Sequence, residues 1–235
     1  MVPVGMRKLV LFDIDGTILL SAGAGRRAII TALAEAIGDV TAFERMRFDG
    51  KTDPQIVVEL LEAAGHTGPH SDERVRALCT RYVSLLEDEL ASAPGVRLMP
   101  GFPAILDRLE ANSDVVLGLL TGNLARGARL KLRAAGLDPE RFRVGAFGSD
   151  SGHRPDLPAI AAERAAPIFG RMPGGEEVVI IGDTPADVAC ASVIGARTVA
   201  VATGSYGVEE LEACGAHAVF ADLADTDAAI AAILA

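Results

Sequence analysis

The 235-residue chain has no tryptophan, two tyrosines and three cysteines, and only Lys8, Lys51 and Lys131 supply lysine among its 22 basic residues. Cys79, Cys190 and Cys214 are odd in number, far apart and without a C-x-x-C pair, which argues against a disulfide framework and a thiolate metal site. A reducing cytoplasm is the expected location. His66, His70, His153 and His217 show no H-x-x-x-H or clustered pattern, so no histidine metal centre is expected. Positive charge is also scarce, with 22 basic against 32 acidic residues and a net charge of −10. That balance offers no footprint for nucleic acid or for an anionic membrane surface. Long hydrophobic runs are missing too. The apolar stretch Leu9 to Phe12 meets Asp13 and Asp15 at once, unlike a signal peptide or a membrane span.

What is present is 50% hydrophobic residues and 23% charged ones, ample for a buried core. Four apolar runs, Lys8–Phe12, Val115–Leu120, Val178–Ile181 and Thr198–Val201, read as buried parallel strands. Weaker strands are expected at Val144–Phe147 and Ala218–Phe220. Helical patterns at Phe102–Glu110, Ala125–Ala135, Leu157–Ile168 and Ala186–Ile194 alternate with them, and Thr226–Leu234 closes the chain. This alternation predicts an α/β fold, a Rossmann-like doubly wound parallel sheet.

The stretch from Leu19 to Gly95 breaks the alternation, with amphipathic helices at Arg26–Ile37, Pro54–Ala64 and Asp72–Leu90 and no convincing strand between them. It reads as a helical insertion, residues 19–95, in a core of residues 1–18 and 96–235. Its borders, Ser21-Ala22-Gly23-Ala24-Gly25 on one side and Pro94-Gly95 with Pro100-Gly101 on the other, serve either as hinges or as helix-ending turns.

Three motifs carry chemistry. Asp13-Ile14-Asp15-Gly16-Thr17 follows the first strand, so its two carboxylates fall at the carboxyl end of the sheet, where open α/β folds bind ligands. Thr121-Gly122-Asn123 ends another strand with a hydroxyl and backbone N–H groups, a candidate phosphate cradle, although the same tripeptide also makes an everyday strand-to-helix connection. Ile181-Gly182-Asp183-Thr184-Pro185-Ala186-Asp187 places Asp183 at a strand end, Thr184 as the N-cap and Pro185 at the first helical position. Asp187 follows within the first turn, where helix-dipole compensation alone would explain it. Four carboxylates gathered at two strand ends would repel by about 4 kcal/mol per pair at 4 Å and an effective dielectric of 20. Such a cluster needs a divalent cation, and ligation by oxygen alone suits Mg²⁺ better than Zn²⁺. Arg154, preceding a predicted helix, is the candidate to hold a phosphate and balance charge; Arg164 lies deeper in that helix, on a face expected to be solvated.

In order, spacing and strand context, D-x-D-G-T, T-G-N, a basic residue and G-D-x-x-x-D resemble the haloacid dehalogenase superfamily of phosphohydrolases. The insertion resembles that family's C1 cap. Asp49-Gly50-Lys51-Thr52-Asp53 resembles a cap segment of its phosphoglycolate phosphatase-like members. The resemblance implies a phosphatase of a small phosphorylated metabolite in which Asp13 is the nucleophile, forming an aspartyl-phosphate, and Asp15 the general acid and base. It implies Mg²⁺ held by Asp13, the Asp15 carbonyl and Asp183, with Asp187 orienting its water ligands or ligating indirectly. Thr121, Gly122, Asn123 and Arg154 would bind the phosphoryl group, and Lys51 would contact substrate or position the cap. Arg154-Pro155 departs from the Lys-Pro usual in the third motif. No lysine follows Lys131, so a lysine in that role would have to come from the preceding helix. A sugar-phosphate mutase and a catalytically silent binding module are the alternatives. A monomer or small homo-oligomer is expected.

Overall fold

The computed structural model describes residues 7–92 and 95–235. In chain order its elements are β1 (Lys8–Phe12), β2 (Leu19–Leu20), α1 (Ala24–Ile37), α2 (Asp53–Ala63), α3 (Asp72–Ser92), β3 (Arg97–Leu98), α4 (Phe102–Glu110), β4 (Val115–Thr121) and α5 (Ala125–Ala134). They continue with β5 (Val144–Phe147), α6 (Leu157–Phe169), β6 (Val178–Gly182), α7 (Pro185–Ala191), β7 (Arg197–Val201), α8 (Val208–Ala213), β8 (Ala218–Phe220) and α9 (Thr226–Leu234).

Six strands form one parallel sheet in the order β5-β4-β1-β6-β7-β8. The apolar runs are continuous rather than alternating because both faces of the sheet are covered. Val10, Phe12, Leu117, Leu119, Val179 and Ile181 point to the side of α4, α5 and α9. Leu9, Leu11, Val116, Leu120, Val178 and Ile180 point to the side of α6 and α7. Phe12 makes edge-to-face contacts with Phe102 and Phe142, at centroid separations of 5.4 and 6.5 Å. Register places Phe12, the last residue of β1, beside both Leu119 and Ile181, so β4 and β6 end within two residues of β1. The three motif loops therefore open into one crevice.

Helices α1, α2 and α3 bury a separate cluster that includes Ile29, Leu33, Leu60, Tyr82 and Leu86. The chain enters and leaves this helical layer through β2 and β3, which pair antiparallel with Leu19 beside Leu98 and Leu20 beside Arg97. The ribbon lies outside the three helices, β2 before α1 and β3 after α3, and strands so short leave no periodicity to detect in the sequence. At the first border Ala22 has φ 50° and Gly23 φ 77°, and α1 already begins at Ala24. At the second border Pro94 lies outside the described residues. Among the described residues no helix is long and apolar enough to cross a membrane.

Candidate active site

Asp13 directly follows β1, and its backbone N–H donates to the Ile181 carbonyl at 2.9 Å, which fixes it against β6. Its carboxyl is buried and pushed up to about 6, chiefly by burial, with Arg154 opposing the rise and Asp187 and Asp15 adding to it. Gly16, at φ +86°, turns the chain away, and a Cβ there would fall 2.2 Å from Asp183 Oδ2. Only glycine allows the first motif to approach the third so closely.

At the end of β6, Thr184 caps α7 and forms a capping box with Asp187. Asp187 Oδ2 accepts from the Thr184 N–H at 3.1 Å and from its hydroxyl at 2.7 Å, while Oδ1 accepts from Arg154. Asp187 thus lies in the first turn of α7, completes the capping box with Thr184 and faces Arg154 in the crevice. Arg154 also lies 3.4 Å from Asp13. Burial by itself would lower the basicity of Arg154, but Asp187 and Asp13 more than reverse that and hold its charge more firmly than usual. Arg164, by contrast, is exposed and pairs with Asp150 at 2.7 Å.

Asp13, Asp183 and Asp187 each offer an oxygen within 4.8 Å of the others. Asp183 is pushed up to about 9, first by burial and then by Asp187 and Asp13, although the Thr17 hydroxyl donates to it. Three buried carboxyls, opposed by one guanidinium that does not reach Asp183, ionise together only beside a further cation. The all-oxygen donor set fits a hard divalent ion such as Mg²⁺.

Asp15 stands apart from that trio. Its Oδ2 accepts from Lys131 Nζ at 2.5 Å and from Asn123 Nδ2 at 2.8 Å. Asn123 Nδ2 also donates to the Thr121 hydroxyl at 2.8 Å, and its Oδ1 accepts from Lys131 at 2.6 Å. The crevice therefore holds two buried cations, Arg154 after β5 and Lys131 on the earlier helix α5. The sequence signal for Lys131 was its place on the face of α5 shared with Gly127 and Ala128, which are also buried.

The helical layer closes over the second motif. The Asp53 N–H donates to the Gly122 carbonyl at 2.8 Å, and Asp53 Oδ2 accepts from the Leu124 N–H at 2.8 Å. A Cβ on Gly122 would fall 2.1 Å from the Lys51 carbonyl oxygen, so this docking requires glycine. Buried Asp53 is pushed up to about 6 by burial, opposed by Lys131 and the Leu124 N–H. Burial pushes the phenol of Tyr82, on α3, well above its ordinary range, and Asp53 adds to the rise. A cavity of about 380 Å³ lies between the layers, bordered by Asp13, Asp15, Thr121, Lys131 and Arg154 below and by Arg26, Arg47 and Lys51 above. The three upper cations are all engaged within the helical layer: Lys51 pairs with Glu59, Arg47 with Asp49 at 3.1 Å, and Arg26 donates to the Met46 carbonyl at 2.8 Å.

The haloacid dehalogenase-like hydrolase family matches residues 10–192. A phosphoglycolate phosphatase of Rhodospirillum rubrum is 32% identical over 231 residues, covering 93% of this chain and 89% of that one. A hydrolase from Pseudomonas syringae superposes with a TM-score of 0.70 at 23% identity, covering 95% of this chain and 97% of that one. CbbY from Rhodobacter sphaeroides, solved in complex with phosphate, does so with a TM-score of 0.71 at 17% identity, covering 94% and 96%. The chain belongs to the haloacid dehalogenase-like hydrolase family and is a hydrolase acting on phosphoric monoesters.

Proposed function

We propose that this protein is a Mg²⁺-dependent phosphatase of a small phosphorylated metabolite that works through an aspartyl-phosphate on Asp13, with residues 19–95 as a cap over a core of 1–18 and 96–235. The observation that carries this reading is the meeting of Asp13, Asp183 and Asp187 within 4.8 Å, with the Arg154 guanidinium in contact with Asp13 and Asp187.

An Asp13 carboxylate oxygen attacks phosphorus, the bond to the leaving oxygen breaks, and that oxygen takes a proton from Asp15. A water then attacks the phosphorus of the aspartyl-phosphate and gives its proton to Asp15. The bond to Asp13 breaks, phosphate leaves and the carboxylate is restored. Arg154 and the Thr121-Gly122-Asn123 loop bind the phosphoryl oxygens, and Arg154 offsets the charge that gathers on them. Mg²⁺ held by Asp13, the Asp15 carbonyl and Asp183 would neutralise and orient the phosphoryl group. Asp187, tied to Thr184 and Arg154, holds that guanidinium in place. Lys51 braces the cap through Glu59 and keeps its backbone against Gly122.

The cavity of about 380 Å³ suits a compact phosphoester, and the relative from Rhodospirillum rubrum makes 2-phosphoglycolate the first compound to try. The cysteines are free, which supports a reducing, cytoplasmic location. The test is phosphate release from a panel of 2-phosphoglycolate, sugar phosphates and nucleoside monophosphates, with Mg²⁺ or with EDTA. Turnover with Mg²⁺, lost in EDTA and reduced at least about 10³-fold in Asp13→Asn, is expected. Turnover that survives either EDTA or Asp13→Asn would sink the reading.

A further inference from the structure

Lys131 lies 116 positions from Asp15 in sequence, on a helix outside every motif that marks the site, yet its ammonium ends on the Asp15 carboxyl at 2.5 Å. Its side chain is 5% exposed, whereas that of Asp15 is 40% exposed and borders the cavity. Burying an ammonium costs several kcal/mol, so a lysine with no task but stability would be better replaced by an apolar residue of similar length.

The contacts of Lys131 show what it does. An ammonium only donates hydrogen bonds, so Asn123 must turn its Oδ1 toward Lys131, at 2.6 Å. That choice sends Asn123 Nδ2 to Asp15 Oδ2 at 2.8 Å. Lys131 therefore grips Oδ2 twice, once directly and once by orienting the Asn123 amide. Asp15 Oδ1 is left with one long contact among the described residues, the Ser21 hydroxyl at 3.5 Å. One carboxyl oxygen is tied to the core and the other is available to the cavity.

We propose that Lys131 is a positioning residue for Asp15, fixing its Oδ2 so that Oδ1 meets the leaving oxygen of the substrate. The inference rests on the phosphatase reading above and assigns to α5 a part in proton delivery. Lys131 acts through Asp15 rather than on the phosphoryl group, so its removal should matter in proportion to how much the leaving group needs a proton.

The experiment compares kcat/KM for 2,4-dinitrophenyl phosphate, whose leaving group departs without a proton, with that for the best alkyl phosphate of the panel. Both are measured for wild type, Lys131→Met and Lys131→Gln at saturating Mg²⁺, together with inhibition by inorganic phosphate. The expected result is a loss of about 10- to 100-fold on the alkyl ester, a loss of less than about threefold on the dinitrophenyl ester, and unchanged phosphate inhibition. Retained aryl turnover also establishes that the variant is folded. Equal losses on both esters in both variants, weakened phosphate inhibition, or no loss at all would overturn the inference. Wild type silent on both esters would overturn the phosphatase reading and this inference with it, whereas an active wild type with an unselective variant would overturn the role of Lys131 alone.

Discussion

The guanidinium of Arg154 bridges Asp13 and Asp187, lying 3.4 Å from the first and in direct ion-pair contact with the second. It thereby joins the loop after β1 to the first turn of α7. All three side chains are buried, so the charges are screened little by water and each depends on the others.

Arg154→Met leaves two buried carboxylates unopposed and should destabilise the protein by about 3–5 kcal/mol, as well as abolish hydrolysis. Arg154→Lys should recover part of the stability, because a single nitrogen, Nη2, meets both carboxylates, but little activity, because an ammonium lacks the planar fork that binds two phosphoryl oxygens at once. Chemical unfolding of the two variants, followed by phosphate-release assays, checks both halves. A fully stable Arg154→Met would contradict the structure.

Gly122→Ala should push residues 51–53 away from the phosphate cradle, since the added Cβ would meet the Lys51 carbonyl oxygen at 2.1 Å. The loss of the Asp53 bonds to Gly122 and Leu124 should appear as faster amide exchange at Asp53 and Leu124. Turnover should fall about tenfold or more, in line with the sensitivity of catalysis to small misplacements. Unchanged exchange at those two amides is the contrary result.

Asp53 should make the stability of the fold depend on pH. Its carboxyl is pushed up to about 6 in the folded protein and returns to the ordinary aspartate range, near 3.9, when the chain unfolds. Between these values the folded state binds more protons than the unfolded one, so this group's contribution to stability falls as pH rises from about 4 to about 6. Asp53→Asn has no such charge to bury. Its stability relative to wild type should therefore grow across that window by at most about 3 kcal/mol, measured by denaturant titration at pH 4.5 and pH 7. A constant difference between the two proteins would refute the assignment.

Mg²⁺ should stabilise the fold by about 3 kcal/mol at a concentration 100 times its Kd, read as a rise in melting temperature. Asp183→Asn should lose that response. Without metal it should melt higher than wild type, because it removes a carboxyl that burial and two acidic neighbours push up to about 9. A metal response that survives the substitution would place the cation elsewhere.

The strand and helix pattern of the core was legible in the sequence because each element carries its own apolar period. Lys8–Phe12, Val144–Phe147, Phe102–Glu110 and Thr226–Leu234 occur with the limits expected of them. α8 has no counterpart in the sequence pattern because six residues with a single buried position, Leu211, carry no period. The capping of α7 by Thr184, with Pro185 at its start, was local enough to read directly. The tie from Lys131 to Asp15 and the docking of Asp53 on Gly122 and Leu124 were not: Gly127 and Ala128 mark the face of α5 that carries Lys131 as buried, but nothing local names the partner of either residue.

The sequence by itself determined the doubly wound sheet, its interruption by helices, and the presence of Asp13 and Asp183 at strand ends with Asp187 in the helical turn that follows, because hydrophobic periodicity, strand-end position and capping are properties of short segments. Only the tertiary structure decided how the charges pair. Arg154 lies with Asp13 and Asp187, Lys131 with Asp15, and Lys51 with Glu59. Two of these three groupings join residues far apart in the chain. Which carboxylate a buried cation meets depends on how the sheet and the helical layer come together, and no local pattern records that.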